Sequence, residues 1–450
     1  MTRRPRLADH AQVRRHLVDG REVVVIHDAR THDLLRLDPE PFAALVHADG
    51  TRDLDGVLLA ASRAGAYRRR SELVSMLDEL QARGLLAEGV DGPRLDDPPE
   101  ETPSDRPLDV LDRITLVCDG SGTCCRQYGS VAFTLAEATR ARALVPTVLD
   151  GLERPDRVFL PLVSNVAREH LAVTLVDGAC AYLATDGACS IHRAGGAEAK
   201  PRPCSIYPST FVDDGVHVRV SVKVECPCVV DSFDRDDGAP LVSPSQRTRG
   251  ALEGAVTVRA LVDRPAITRD RGVARAVIAA WSRVIAAEAP SDVALAFWSL
   301  ADAVETHGLD SEQSRAALVA TRYRRLDDLA RWTKAFATMA NESAKVADEW
   351  RSPRDAVRLG RRAIADAAKL VCEQTPTPLA APSSQAIEQH YFRATIFGHH
   401  AVESLPLVDA LRDRAVRVLV ARAIGDRRTA LPTVESMCRG HGLAAYASRV

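Results

Sequence analysis

The feature that most constrains this 450-residue chain is a cluster of cysteines ahead of its helical second half. Eight of its ten cysteines lie between residues 118 and 228, namely Cys118, Cys124, Cys125, Cys180, Cys189, Cys204, Cys226 and Cys228. Thiolates are soft ligands that select zinc, copper(I) or iron–sulfur clusters, and clustered cysteines in a reducing compartment favour metal binding over disulfides. We therefore expect these eight cysteines to be ligands of a metal ion or an iron–sulfur centre.

The spacing of the cysteines does not identify the metal. It matches neither the paired C-x₂-C of a zinc ribbon nor a regular ferredoxin run, so zinc and an iron–sulfur cluster both remain open. Gly120-Ser121-Gly122 predicts a sharp turn whose backbone amides can face thiolate sulfur. Cys124 and Cys125 follow this turn directly. Vicinal cysteines rarely both bind one ion, so one of the two is a candidate for a supporting position. The alternative interpretation is a small domain with several buried, unligated cysteines.

Other cysteines and histidines have simpler interpretations. Cys372 and Cys438 stand alone in helical sequence, where a small buried apolar role is expected. His192 lies three residues after Cys189, but a surface or packing role is favoured over metal ligation. His399 and His400 are adjacent, and adjacent side chains on a helix point in different directions, so we expect both at the surface.

Composition bounds the class of protein. Hydrophobic residues make up 46% and charged residues 27%, which is typical of a folded globular chain, and the length favours two or three domains. Aromatic residues are only 4%, which favours a mainly α (α+β) fold. The net charge of −2, with both signs interspersed, argues against a nucleic-acid partner. Neither a secretion signal nor an apolar run of membrane-spanning length is visible, so we expect a cytoplasmic protein with no membrane partner.

Residues 1–92 predict a small winged-helix-like module. Arg21 to His27 and Leu34 to Leu37 have the β-branched and apolar character of a β-hairpin. Asp38 and Pro39 can cap and begin a helix, and two further helical patterns follow. The hairpin offers a strand edge that could bind an extended peptide.

The rest of the chain divides by composition. Residues 93–107 are rich in proline and predict a linker. Residues 108–245 form the loop-rich cysteine-cluster domain, and residues 246–450 show helical periodicity throughout. Within that last domain, Pro290 is expected to end one helix and Ser291 to cap the next.

The cysteine-cluster segment resembles the YkgJ-like family, described as zinc- or iron-chelating, and within it the flagellin lysine N-methylases. The resemblance lies in the residues from Cys118 to Cys125, in CAYLATDGACSIHRAGGAEAKPRPCSIYPSTF from Cys180, and in VSVKVECPC ending at Cys228. In the wider family the first block often reads Cys-x-x-Cys-Gly-x-Cys-Cys, and Ser121 stands here at the second of these cysteines. The resemblance implies S-adenosylmethionine-dependent methylation of a lysine on a protein or peptide. No catalytic or methyl-donor residue is identifiable, because no glycine-rich donor loop is visible.

The amino-terminal module resembles the PqqD-like domains that recognise leader peptides of ribosomally made, modified peptides. The resemblance lies in HDLLRLDPEPFAALVHADGTRDLDGVLL and ELVSMLDELQARGLL. It implies that the partner is a peptide, such as a leader peptide, and that the helix carrying Leu73, Leu77 and Leu80 forms an apolar wall beside the strand edge. The alternative to an enzyme is therefore a non-enzymatic, metal-binding adaptor that recruits a peptide through this module.

Overall fold

The computed structural model describes residues 4–438 except 9–10, 19–20, 29–33, 38–41, 43, 46, 49, 51, 64–68, 89–101, 119, 121, 128–130, 147–157, 162–169, 177–178, 234, 253–257, 350–354, 374–381 and 403–404. The chain forms two compact units. The first unit contains Met1–Glu100 and Gly120–Ser205, and the second contains Glu101–Asp119 and Ile206–Val450. Most of the predicted linker, residues 93–101, lies outside the described residues.

The amino-terminal part of the first unit is a β-sheet with helices packed on it. Its elements are β1 (Pro5–Leu7), β2 (Ala11–Val18), β3 (Arg21–Asp28), β4 (Leu34–Leu37), α1 (Leu54–Arg63), α2 (Arg70–Ala82) and β5 (Leu86–Glu88). The strands β2, β3 and β4 pair antiparallel in chain order, which confirms the predicted β3–β4 hairpin, and β1 pairs with β5. Ile26, Val57 and Leu77 are fully buried in the core between sheet and helices.

Two strands from the cysteine-rich segment extend this sheet. β10 (Leu175–Val176) pairs parallel with β2, and β11 (Ala179–Cys180) pairs antiparallel with β10. The strand order is β11-β10-β2-β3-β4, so Cys180 and β4 lie on opposite edges. At the usual spacing of neighbouring strands, these edges are roughly 19 Å apart.

The remainder of the first unit is built around a second antiparallel sheet of order β7-β9-β8. Its elements are α3 (Thr123–Gln127), β7 (Ala132–Thr134), α4 (Leu135–Leu144), β8 (Phe159–Pro161), β9 (His170–Val173), α5 (Ser190–Gly195), a 3₁₀ turn (Ala197–Ala199) and α6 (Arg202–Ile206), the last of which continues into the second unit. Phe133, Phe159 and Tyr182 form an aromatic core, with the Phe133 and Phe159 ring centroids 4.8 Å apart. This core supports the segments that carry the cysteines.

The second unit contains a four-stranded sheet of order β14-β12-β13-β6. Its strands are β6 (Leu108–Val110), β12 (Ser209–Asp213), β13 (Val218–Val222) and β14 (Arg259–Ala260). β12 and β13 form an antiparallel hairpin, while β6 runs parallel to β13 with Asp109 opposite Arg219. Every residue of β13 is buried, as expected for a strand covered on both faces.

Helices make up most of the second unit. They are α7 (Pro227–Ser232), α8 (Arg275–Ala286), α9 (Val293–His307), α10 (Ser311–Leu318), α11 (Leu326–Glu349), α12 (Asp355–Glu373), α13 (Pro382–Phe397), α14 (Leu407–Ile424) and α15 (Arg427–Cys438), with 3₁₀ turns at Arg249–Ala251 and His400–Val402. The predicted cap of α9 is wrong by one residue, because the Asp292 side chain, not Ser291, accepts the hydrogen bond from Leu295 N at 3.1 Å. The mainly α, α+β fold class is confirmed, whereas the winged-helix assignment and the four-part domain scheme remain predictions.

Buried arginines of α14 are neutralised by acidic partners. Arg422 forms ion pairs with Glu388 at 2.6 Å and Asp292 at 2.9 Å, and Arg417 pairs with Asp413 at 2.6 Å and Glu435 at 2.9 Å. These pairs allow a helix with several arginines to pass through the core, because a buried charge is tolerated only when it is paired. Among the described residues, no helix is long and apolar enough to cross a membrane.

Candidate metal centre

Five of the eight predicted cysteines lie in the first unit, on four separate segments. Cys124 and Cys125 lie on α3, Cys180 ends β11, Cys189 is the residue before α5, and Cys204 lies on α6. All five are half-buried. The helix α3 contacts β11, so the vicinal pair is brought to the strand that carries Cys180.

The two glycines before α3 both have a backbone conformation that other residues rarely adopt. Gly120 and Gly122 have φ values of +70° and +66°, in the left-handed region that favours glycine. A Cβ atom at Gly122 would lie 2.6 Å from both the Gly187 carbonyl oxygen and the Leu183 Cδ1. The turn can therefore approach the 183–187 loop only with glycine at position 122.

A tight loop returns the chain from Cys180 to Cys189. Ala184 N donates to Ala188 O at 2.9 Å, and Leu183 and Cys189 form a β-bridge. Ser190 N then donates to Tyr182 O at 2.8 Å, which begins α5 beside the aromatic core. The backbone hydrogen bonds of this loop hold Cys189 near β11.

Glu137 positions the segment that carries Cys204, a role that the sequence analysis missed. Its carboxylate accepts hydrogen bonds from Thr134 N at 2.8 Å and from Arg202 N, the first residue of α6, at 2.8 Å. Thr134 Oγ1 in turn accepts from Glu137 N, completing a capping box at the start of α4. The Thr-x-x-Glu pattern of residues 134–137 is the sequence signal that identifies this cap.

Several of these thiols lie close enough to influence one another's pKa. The Cys124 and Cys125 sulfurs are 4.0 Å apart, and their hydrogen bond, burial and the neighbouring Cys124, Cys180 and Cys204 raise the pKa of Cys125 far above its usual range. Burial raises the pKa of Cys204 to about 12, with smaller contributions from Cys180, Cys189 and Cys124. Without a cation, Cys125, Cys180 and Cys204 are therefore held as neutral thiols, because burial and neighbouring thiolates both disfavour the charged form.

The pKa of Cys180 is raised to about 12, mainly by burial and also by Cys189 and Cys124, while a hydrogen bond from the Tyr182 backbone acts in the opposite direction. That backbone donor is the kind that stabilises thiolate sulfur once it is deprotonated. In the part of the chain that the structure describes, no three cysteine, histidine or acidic side chains are arranged closely enough to hold a metal ion.

The other three predicted ligands lie in the second unit. Cys226 is buried and precedes α7, Cys228 is half-buried in the first turn of α7, and Cys118 is exposed. Val117 N donates to the Ser232 hydroxyl at 2.9 Å, which ties the segment containing Cys118 to the end of α7. The assignment of all eight cysteines to one site remains a prediction.

The isolated cysteines and the histidines differ in part from expectation. Cys438 is buried as predicted, but the prediction for Cys372 is wrong, because this residue of α12 is exposed. His192 is exposed on α5. The surface assignment is wrong for His399, which is 2% exposed with its Nε2 3.5 Å from Asp214, whereas His400 is half-buried with its Nε2 3.1 Å from Thr210 Oγ1. Polar partners on β12 and the following turn compensate their burial.

Comparisons with known proteins add no assignment. No family model matches the chain, no curated protein matches it, and no solved structure matches it.

Proposed function

We propose that this chain is a cysteine-cluster metalloprotein in which thiolates of the first unit hold zinc or an iron–sulfur cluster. The observation that carries the proposal is that α3, β11, the start of α5 and α6 bring five cysteines near one another, so that neighbouring cysteines contribute to the raised pKa of Cys125, Cys180 and Cys204. A metal cation would reverse this effect, because it stabilises thiolates and releases their protons on binding. Cys124, Cys125, Cys180, Cys189 and Cys204 are the candidate ligands.

The local structure supports a site that a metal would complete. The cysteine-bearing segments are short helices, two-residue strands and tight loops, which bury little apolar surface of their own. A metal that joins four such segments would stabilise the folded unit by its own binding free energy. Cys118, Cys226 and Cys228 are a separate group of candidate ligands in the second unit.

The identity of the metal is decided by purification without oxygen. An iron–sulfur protein has broad visible absorption and contains iron and acid-labile sulfide, whereas a zinc protein is colourless. We expect one of these two metals in near-stoichiometric amount in the full chain. A protein that folds with neither metal, and does not gain stability when either is supplied, contradicts the proposal.

We further propose, on the resemblance to lysine N-methylases, that the chain modifies a lysine of a protein or peptide with S-adenosylmethionine as methyl donor. A cytoplasmic location is part of this proposal. Metal-saturated thiolates have no free acid–base capacity, so the residues that hold the lysine amine neutral must lie elsewhere. The test is transfer of the labelled methyl group of S-adenosylmethionine to lysine, identified by mass spectrometry after proteolysis. Absence of labelled methyl-lysine after incubation with the purified, metal-containing full chain would contradict the assignment.

The adaptor alternative is favoured by one feature, the position of β4 at the edge of its sheet. The opposite side of this sheet does not offer β2 as a free edge, because β2 pairs with β3 on one side and in part with β10 on the other. An extended peptide could add to β4 through backbone hydrogen bonds. The predicted apolar wall is wrong, since Leu73, Leu77 and Leu80 are at most 1% exposed and belong to the core. Titration of the full chain with short peptides encoded beside its gene tests this alternative, which fails if none binds.

A further inference from the structure

A second candidate site lies wholly in the second unit, in a pocket of about 520 Å³ with no cysteine among its lining residues. Acidic and basic groups alternate on its wall: Asp109, Arg283, His217, Asp112 and Arg393. Leu108 and Phe397 add apolar surface. Because the paired acids and bases give the wall little net charge, it does not favour a simple anion or a simple cation.

Asp109 is held rigidly at this pocket. β6 places it opposite Arg219 of β13, and Arg219 Nη1 donates to Asp109 Oδ2 at 2.6 Å. Arg219 is 1% exposed and is fixed in turn by Asp214 at 2.6 Å, by the Ala279 carbonyl at 3.2 Å and by the face of Phe397. The buried arginine thus fixes the orientation of the Asp109 carboxylate before any ligand arrives.

The polar groups at the pocket retain unused hydrogen-bonding capacity. Asp109 accepts from both Arg219 and Arg283 on Oδ2, so Oδ1 has no donor within the described part of the chain. Arg283 Nη2 also donates to His217 Nδ1 at 3.2 Å, so that Nδ1 is the acceptor and Nε2 is the ring nitrogen that can donate. The pocket therefore offers an acceptor on Asp109 beside donors on Arg283 and His217, and Arg393 on the same wall is held by Asp112.

We propose that this pocket binds the zwitterionic end of an α-amino acid, either free or as part of a larger metabolite. Its ammonium group would lie on Asp109, and its carboxylate, one carbon away, on Arg283 and His217. Such a ligand matches a neutral wall in which an acceptor and donors are a few ångströms apart. The remaining volume and the apolar surface of Leu108 and Phe397 can take a side chain or an attached group.

This inference deepens the proposed function without depending on the metal. If the chain is a methyltransferase, the ligand would be the methionine end of S-adenosylmethionine, which has this zwitterionic chemistry; this assignment rests on the proposed function. If it is an adaptor, a free amino acid would be the ligand. A free amino acid and S-adenosylmethionine share the zwitterionic group, and they are distinguished by which of them binds.

The test is isothermal titration calorimetry of the full chain with L-methionine, L-lysine and S-adenosylhomocysteine, and with methionine analogues that lack the amino or the carboxylate group. Binding of S-adenosylhomocysteine alone supports a larger metabolite, and binding of the free amino acids supports that source. Each analogue that lacks a charged group should bind about tenfold more weakly than its parent. Analogues that bind as tightly as their parents, or the absence of binding by all three zwitterions, would overturn the inference.

Arg283→Gln supplies the matching variant, because this side chain is 53% exposed and its loss leaves Arg219 in place. It should raise the dissociation constant about tenfold. Arg315→Gln is the control: Arg315 is also exposed and ion-paired, with Glu288 at 2.8 Å, but does not line the pocket. Equal affinity of Arg283→Gln and Arg315→Gln for the zwitterionic ligand overturns the inference. If Arg283→Gln misfolds, the titrations of the original chain with the methionine analogues decide the question. Metal content is measured on the same preparation, so failure of the metal centre and failure of the pocket are distinguished.

Discussion

His390 makes the stability of the second unit depend on pH in a way that one substitution should remove. The side chain of this α13 residue is 7% exposed, stacks on Phe233 with ring centroids 4.9 Å apart, and has no hydrogen-bond partner for Nε2 in the described structure. Burial lowers the pKa of His390 from 6.5 to about 4. The folded imidazole is therefore neutral at pH values where the unfolded chain already binds a proton.

The sign and size of the effect follow from this difference. Between about pH 6.5 and pH 4 the unfolded state binds more protons, so the free energy of unfolding falls as pH falls. The full gap between the two pKa values corresponds to about 3 kcal/mol, of which about 2 kcal/mol is lost on going from pH 7 to pH 5. His390→Phe keeps an aromatic ring stacked on Phe233 and removes the proton-binding group. On going from pH 7 to pH 5, its free energy of unfolding should therefore rise by about 2 kcal/mol relative to that of the original chain.

Tryptophan fluorescence measures this directly, because all four tryptophans lie at or after Trp281, in the second unit. Urea unfolding of the original chain and of His390→Phe at several pH values gives the difference between their free energies of unfolding. The contributions of all other titrating groups cancel in this difference. His307→Gln, at an exposed histidine of the same unit, should follow the original chain. Parallel curves for His390→Phe and the original chain from pH 7 to pH 5 would refute the reasoning.

Two further substitutions test the packing around the sites. Gly122→Ala should destabilise the first unit by about 1–3 kcal/mol and lower metal retention, because it adds a Cβ atom 2.6 Å from the Gly187 carbonyl oxygen at a position whose φ is already unfavourable for alanine. The control, Gly120→Ala, places its Cβ atom in open space and should cost less stability. Equal melting temperatures of the two variants would contradict this prediction. Arg219→Met should lower the free energy of unfolding by about 3–5 kcal/mol in the tryptophan-monitored assay, because it leaves the fully buried Asp214 carboxylate without the arginine that neutralises it. A loss below about 1 kcal/mol would argue against this neutralising role of Arg219.

The sequence predicts those parts of the fold that local patterns determine. The β3–β4 hairpin follows from its β-branched residues, and the helical second half from its periodicity and its prolines. Leu85 lies outside α2, which ends at Ala82, because Gly84 adopts a left-handed φ of +69° and the chain then enters β5. That strand forms only by pairing with β1, about 80 residues earlier in the chain, which no local pattern indicates.

The sites show the same division between local and long-range information. The residue types at the cysteine cluster are visible in the sequence, but their division between two units depends on where the chain crosses from one compact core to the other. His399 is buried because Asp214, 185 residues earlier, faces it, and Asp109 meets Arg219 only through parallel strand pairing. Such contacts join positions too distant in sequence for spacing to reveal them.

The central claim is the thiolate metal centre of the first unit, and metal analysis of cysteine variants tests it most directly. Cys125→Ser, Cys180→Ser and Cys204→Ser are prepared without oxygen beside the original chain, with Cys372→Ser at the exposed position on α12 as the control. Iron, zinc and acid-labile sulfide are quantified per folded chain. We predict near-stoichiometric metal in the original chain and in Cys372→Ser, and a large loss in each of the other three variants. Unchanged metal content in all four variants, or a folded original chain that binds no metal, would contradict the account.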